Sequence, residues 1–326
     1  MNILVTGGLG VNGVWVIRQL VSEGHRPVVY DNRYDTLGLE DIVDKMDIVV
    51  GDISDIASII RVLKEYGIKR IIHVASAMPD AAKANPFIGF KVNAFGTLNI
   101  LEAARIMKIE RVVFTSSKAA FAPAIGEYGY PTYKPLDENY LSWPAPGFTV
   151  YGGAKIASEL MGIAYSQTYG MEFVALRFAA IYGPGKSARH QSTGIHSQMI
   201  ENAMAGKPTT IPRGGDARDD MLYVKDCANS IVLACFAKNL KHYLFTIGTG
   251  KGYTLNDLAD SIKKVYPEAV FQIGPGEDYK AVPGMCAVMD ISRAREELGY
   301  TPKFYLEKGV KDCIEVMKGL SKKKSK

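Results

Sequence analysis

The 326-residue chain is poor in the features that mark several protein classes. No apolar run approaches the roughly 20 residues that a helix needs to cross a bilayer, so no membrane association is expected. A secretory leader is not expected either, because "MNILVTGG" lacks a basic n-region and runs directly into a strand pattern. The four cysteines (Cys227, Cys235, Cys286, Cys313) are widely spaced with no CxxC pair. That usage predicts reduced, mostly buried thiols and a cytoplasmic location, and no metal site is expected. No basic stripe with interleaved aromatics occurs, and much of the net charge of +5 sits in the terminal "SKKKSK". Such a tail reads as a solvated, frayed end, which argues against nucleic-acid binding.

What is present is a globular composition, 47% hydrophobic and 22% charged, with enough apolar residues for a substantial core. Strand-like runs "NILVTG", "PVVYD", "DIVVGD", "RIIHVAS", "RVVFTSS" and "EFVALRF" alternate with helical stretches, notably 14–21, 56–66, 90–107 and 154–169. Val/Ile runs separated by helices predict an α/β fold: a doubly wound parallel sheet of Rossmann type, buried on both faces. Beyond about residue 180 the rhythm breaks into Gly- and Pro-rich pieces such as "YGPGK" and "AGKPTTIPRGGD". The expected organisation is a dinucleotide-binding domain over 1–180, rejoined by about 224–248. A smaller C-terminal substrate-binding lobe would be built from 181–223 and 249–326.

"TGGLGVNG" follows the first strand and opens the first helix, with Gly7, Gly10 and Gly13 three apart. A turn of this kind lets the backbone approach a pyrophosphate, whose charge then meets the N–H groups and positive end of the helix. Asp31, at the end of the second strand, stands where a carboxylate accepts hydrogen bonds from a ribose 2′-OH. It therefore favours NAD, since a 2′-phosphate would be repelled, although Arg33 softens that preference. Asp52 in "GDISD" either receives the adenine amino group or sits in a turn before a helix capped by Ser54. Asn12 occupies a place where an apolar residue would pack better.

Several further stretches carry a family resemblance: "HVAS", "VNAFGTLNILEAAR", "FTSSKAAF", "VYGGAK", "LRFAAIYGPG", "RDDMLYVKDCA", "FTIGTG" and "DISRAREELGYTP". With the glycine turn they closely resemble the extended short-chain dehydrogenase/reductases, the NAD-dependent epimerases and dehydratases, over nearly the whole length. The resemblance implies that Tyr151 is the proton-transferring tyrosine and Lys155 the lysine that, with the positive nicotinamide ring, lowers its pKa and holds the nicotinamide ribose. It makes Ser117 the hydroxyl on the reacting oxygen, with Ser116 as the neighbour in reserve. Cofactor contacts would come from Gly7, Gly10, Val11, Asn12, Gly13, Asp31, Asn32, Asp52, Ile53, Val74, Ala75, Ser76, Asn93, Tyr151 and Lys155. His73, alone in an apolar strand, reads as structural. The helices over 90–107 and 154–169 carry surplus apolar residues, and in this family the equivalent helices pair two subunits through a four-helix bundle; a homodimer is expected.

Departures from the family pattern narrow the chemistry. Dehydratases carry an Asp–Glu pair just after the serine position, where this chain has Lys118 and Ala119, so a 4,6-dehydratase is not expected. Nucleotide-sugar epimerases usually place an asparagine at Ala180 and a phosphate-gripping arginine at Val282; alanine and valine cannot replace charged donors on a diphosphate. Arg218 matches the remaining arginine, and Arg189, His190, His196 and Arg213 are possible compensating contacts. The substrate site is accordingly expected to include Ser117, Tyr151, Ala180, His190, Arg213 and Arg218. The expected activity is NAD-dependent hydride transfer at an alcohol or ketone of a polar, non-nucleotide, sugar-like or acidic molecule. The alternative is a UDP-sugar 4-epimerase. A non-catalytic cofactor sensor is disfavoured by the intact Ser117, Tyr151 and Lys155 set.

Overall fold

Runs such as ILVT and RVVFT have no polar face, and in the fold both of their faces are covered. The computed structural model describes residues 1–140, 142, 149–189, 194–279 and 284–324. Ile3–Thr6 (β1), Val28–Asp31 (β2), Asp47–Val50 (β3), Arg70–His73 (β4), Arg111–Thr115 (β5), Glu172–Phe178 (β6) and Leu244–Ile247 (β10) form one sheet. Its order is β10-β6-β5-β4-β1-β2-β3, and every pairing is parallel. Strand order reverses between β1 and β4, which opens a crevice at the carboxyl ends of the strands, where ligands of such sheets bind. This is the expected doubly wound α/β fold.

Two apolar layers sandwich the sheet. One holds Ile17 and Leu20 from helix Val11–Ser22 together with Ile231 and Cys235 from helix Val224–Phe236, and these two helices pack on each other. The other holds Ile59 and Leu63 from helix Ile56–Glu65, with Ile100 and Ala104 from helix Gly96–Ile106. All four cysteines are buried and free of disulfides. Beyond β6 the strands are short: Ala180–Tyr182 (β7), Asp219–Tyr223 (β9) and Gly252–Tyr253 (β11) form a three-stranded sheet. Thr209–Ile211 (β8) pairs with Phe271–Ile273 (β12).

Three local expectations are corrected. The helix placed at 154–169 begins at Val150, because the Thr149 hydroxyl accepts from the Gly152 N–H and caps it there. The segment placed as one helix over 90–107 contains a π-turn, Lys91–Phe95, before the α-helix Gly96–Ile106. The helix after β3 is capped by Asp55, whose carboxylate accepts from the Ser58 N–H, and not by Ser54. The chain ends in a long helix, Leu306–Lys324, that takes in most of the lysine tail. Among the described residues no helix is long and apolar enough to cross a membrane.

Candidate active site

The crevice at the strand ends is lined first by glycine. Gly7 has φ of +67° and lies so close to the end of β4 that a Cβ on it would stand 2.6 Å from the Ala75 nitrogen. A Cβ on Gly13 would stand 2.2 Å from the Gly7 carbonyl oxygen. Only backbone fits between β1 and the first helix, which leaves the helix N–H groups open to an approaching pyrophosphate. The Asp31 carboxylate accepts from the Leu9 N–H at 3.0 Å and from the Arg33 N–H at 3.4 Å, so it is held at the rim of the same turn. Asn32 and Asp52 are exposed at the ends of β2 and β3, and Asp52 accepts from the Ser54 N–H at 2.8 Å. Val74, Ala75 and Ser76 leave β4 beside Gly7, while Ile53 is buried under the Gly96 helix start. The glycine cradle and its flanking carboxylate fit a dinucleotide.

The second group of side chains gathers beyond β4 and β5. Tyr151 is buried, and the hydroxyls of Ser117 and Ser76 both favour ionisation of its own. Ser76 Oγ in turn donates to Asn93 Oδ1 at 3.0 Å. Asn93 sits in the π-turn, fully enclosed; its Oδ1 also accepts from the Ala77 N–H at 2.7 Å and its Nδ2 donates to the Ala77 carbonyl at 2.8 Å. That pair of bonds fixes the loop after β4 under the tyrosine. Ser117 leaves β5 and also caps a short turn by accepting from the Ala119 N–H at 3.1 Å. Ser116, the neighbour in reserve, turns away and donates to Glu159.

Lys155 lies one helical turn beyond Tyr151 with its ammonium 5.4 Å from the tyrosine ring centroid and 4.7 Å from that of Phe114. Its Nζ donates to the Thr115 carbonyl at 2.7 Å. Burial pushes the Lys155 pKa down to about 7, opposed by the charge of Glu159 four residues on. Burial likewise pushes Tyr151 up to about 12, against the pull of the Ser117 and Ser76 hydroxyls. The Lys155 ammonium and the charge of the nicotinamide ring were together expected to lower the tyrosine; in the protein alone burial prevails over the two hydroxyls.

Sequence reasoning missed two buried ion pairs around this group. Glu159 accepts from Arg177 at 2.6 and 2.9 Å, both side chains almost wholly enclosed, and so links Ser116, the catalytic helix and β6. Lys118 pairs with Asp219 on β9, whose other oxygen accepts from the Tyr279 hydroxyl at 3.1 Å. Tyr279 is bonded to His196 at 2.9 Å. His196 is therefore part of a buried network. Ala180 opens β7, and Arg213 and Arg218 are exposed; His190 and Val282 lie outside the described residues, as does the side chain of Arg189. Arg218 lines a cavity of about 380 Å³ together with Tyr130, Tyr133, Asp216 and Asn256.

A doubly wound sheet with a glycine cradle and a grouped serine, tyrosine and lysine defines an extended short-chain dehydrogenase/reductase. The NAD-dependent epimerase/dehydratase family matches residues 3–248, and the chain belongs to that family as an NAD-dependent enzyme. A putative UDP-glucose 4-epimerase of Methanocaldococcus jannaschii is 30% identical over 97% of this chain and 98% of its own length. The UDP-glucose 4-epimerase of Mycolicibacterium smegmatis is 27% identical, over 98% and 100%. Among solved structures, Thermotoga maritima UDP-glucose 4-epimerase with UDP-glucose superposes with a TM-score of 0.84 at 26% identity, covering 98% of this chain and 99% of that one. The Thermus thermophilus UDP-glucose 4-epimerase complex with NAD gives 0.83 at 25% identity, over 98% and 99%.

Proposed function

We propose that this enzyme is a nucleotide-sugar 4-epimerase acting on a UDP-sugar. The observation that carries the reading is the Arg218 cavity. An exposed guanidinium, which pairs with no carboxylate among the described residues, lines a space shared with two tyrosines, Asn256 and the Asp216 carboxylate. Charge for a diphosphate and flat surfaces for a base are thus side by side. The activities of the relatives support the same reading and weigh against the non-nucleotide substrate expected from Ala180 and Val282. Lys118 and Ala119 still argue against a dehydratase, since neither is one of the two carboxylates that the elimination uses in this family.

In this reading NAD supplies hydride uptake and return at the substrate carbon. Ser117 holds the reacting oxygen by its hydroxyl while Tyr151 takes the hydroxyl proton and later gives it back. Lys155 holds the nicotinamide ribose and sustains the tyrosinate. Ser76 and Asn93 keep the tyrosine hydroxyl aimed. Residues 181–223 and 249–326 form the substrate lobe over the crevice, and the enzyme works as a cytoplasmic homodimer through its outer helices.

Incubation with UDP-glucose or UDP-galactose is expected to interconvert the two with no net NADH. Tyr151→Phe is expected to lower the rate by about two to four orders of magnitude. A second reading, a dehydrogenase of a polar non-nucleotide alcohol, draws on Ala180. Stoichiometric NADH from such an alcohol, with UDP-sugars inert, would establish it and overturn the first.

A further inference from the structure

Asn12 stands on the first turn of helix Val11–Ser22, between Gly10 and Gly13 and among the buried Val11, Val14 and Val16. Its Oδ1 is enclosed and accepts no hydrogen bond. A buried, unsatisfied carbonyl costs stability that a leucine of similar size would not incur. The amide nitrogen also makes no bond within the protein, yet it is not among the enclosed atoms, and the residue remains partly exposed. The side chain thus lies with its acceptor inward and its N–H₂ outward, on the helix turn that carries the glycine cradle. What the amide offers there and leucine cannot is a donor.

We propose that the Asn12 side chain donates a hydrogen bond to the pyrophosphate of NAD, adding a side-chain contact to those of the helix backbone. The cradle brings the dinucleotide's phosphates to this turn because only backbone occupies the space between Gly7 and Gly13. Phosphate oxygens are acceptors only, and a donor to an anion is among the stronger hydrogen bonds. The enclosed carbonyl is the cost of holding the amide in that orientation, and it is offset only when the dinucleotide is bound.

Binding is the readout, measured by calorimetry on the full chain with NAD, ADP-ribose and adenosine. ADP-ribose keeps the pyrophosphate and lacks nicotinamide; adenosine lacks both phosphates. Asn12→Leu is expected to weaken NAD and ADP-ribose alike by about tenfold or more, to leave adenosine unchanged, and to resist urea better than the parent without ligand. Asn12→Asp, nearly isosteric, is expected to weaken NAD and ADP-ribose further than leucine does, because its carboxylate repels the phosphates. Unchanged ADP-ribose affinity in Asn12→Leu would overturn the proposal. So would an equal loss for adenosine, or full NAD affinity in Asn12→Asp.

Discussion

His73 bonds through both ring nitrogens, with Thr6 Oγ1 at 2.6 Å and Thr97 Oγ1 at 3.1 Å, and burial pushes its pKa down to about 3. Between pH 6.5 and that value the unfolded chain binds a proton that the folded chain refuses. This contribution to stability is present above pH 6.5 and is lost as pH falls, by at most about 1.4 kcal/mol per unit. Urea unfolding at pH 7 and pH 5 is expected to show a smaller loss for His73→Gln than for the parent. Glu159 is expected to be costlier to remove. Glu159→Ala leaves Arg177 buried without its partner, at about 3–5 kcal/mol in urea unfolding. The same change withdraws the charge that holds Lys155 up, so the alkaline limb of kcat is expected to move to lower pH. Tyr151, Lys155 and Ser117 were legible because a tyrosine and lysine one helical turn apart, with a serine ending a strand, have recognisable neighbours in sequence. The Glu159–Arg177 and Lys118–Asp219 pairs were not, since their members meet only through strand order and β9 packing.

Between Thr149 and Gly170 the helix that carries Tyr151 and Lys155 is set by its two ends and one contact. Thr149 caps the start, and Gly170, at φ of +70°, ends it in the left-handed conformation. Midway, Gly162 lies on the ring of Phe173 in β6, where a Cβ would stand 2.2 Å from the ring carbon Cζ. Gly162→Ala is expected to cost about 1–3 kcal/mol and to lower kcat more than it raises KM, because lifting the helix separates Tyr151 from Ser117. Thr149→Ala is expected to cost about 1 kcal/mol by thermal unfolding. The strands and most helices were readable from apolar runs and helical spacing. The apolar spacing begins only at 154 because Gly152 and Gly153 leave the first turn without an apolar stripe, although Tyr151 and Lys155 are already one helical turn apart in the sequence. The π-turn was hidden because one extra residue in a helical turn barely disturbs the pattern, although it is the element that seats Asn93.

Across the whole molecule, large apolar side chains remain exposed on one set of helices: Phe87 at 76%, Leu160 at 63% and Phe95 at 57%. These support the proposed homodimer, since such surface is costly to leave in water. Leu160→Arg combined with Phe95→Asp is expected to give a monomer by light scattering at micromolar concentration; a parent already monomeric there would overturn the dimer. A different consequence follows from the packing of helix Val224–Phe236 on helix Val11–Ser22, reinforced by the bond from Gln19 to Asn229 and by Arg111 reaching the Ala234 carbonyl. Helix Val11–Ser22 waits some two hundred residues of synthesis for the surface that covers it. The nascent chain therefore carries an open apolar flank over that span, and the cofactor cradle reaches its final rigidity only once the later helix has emerged.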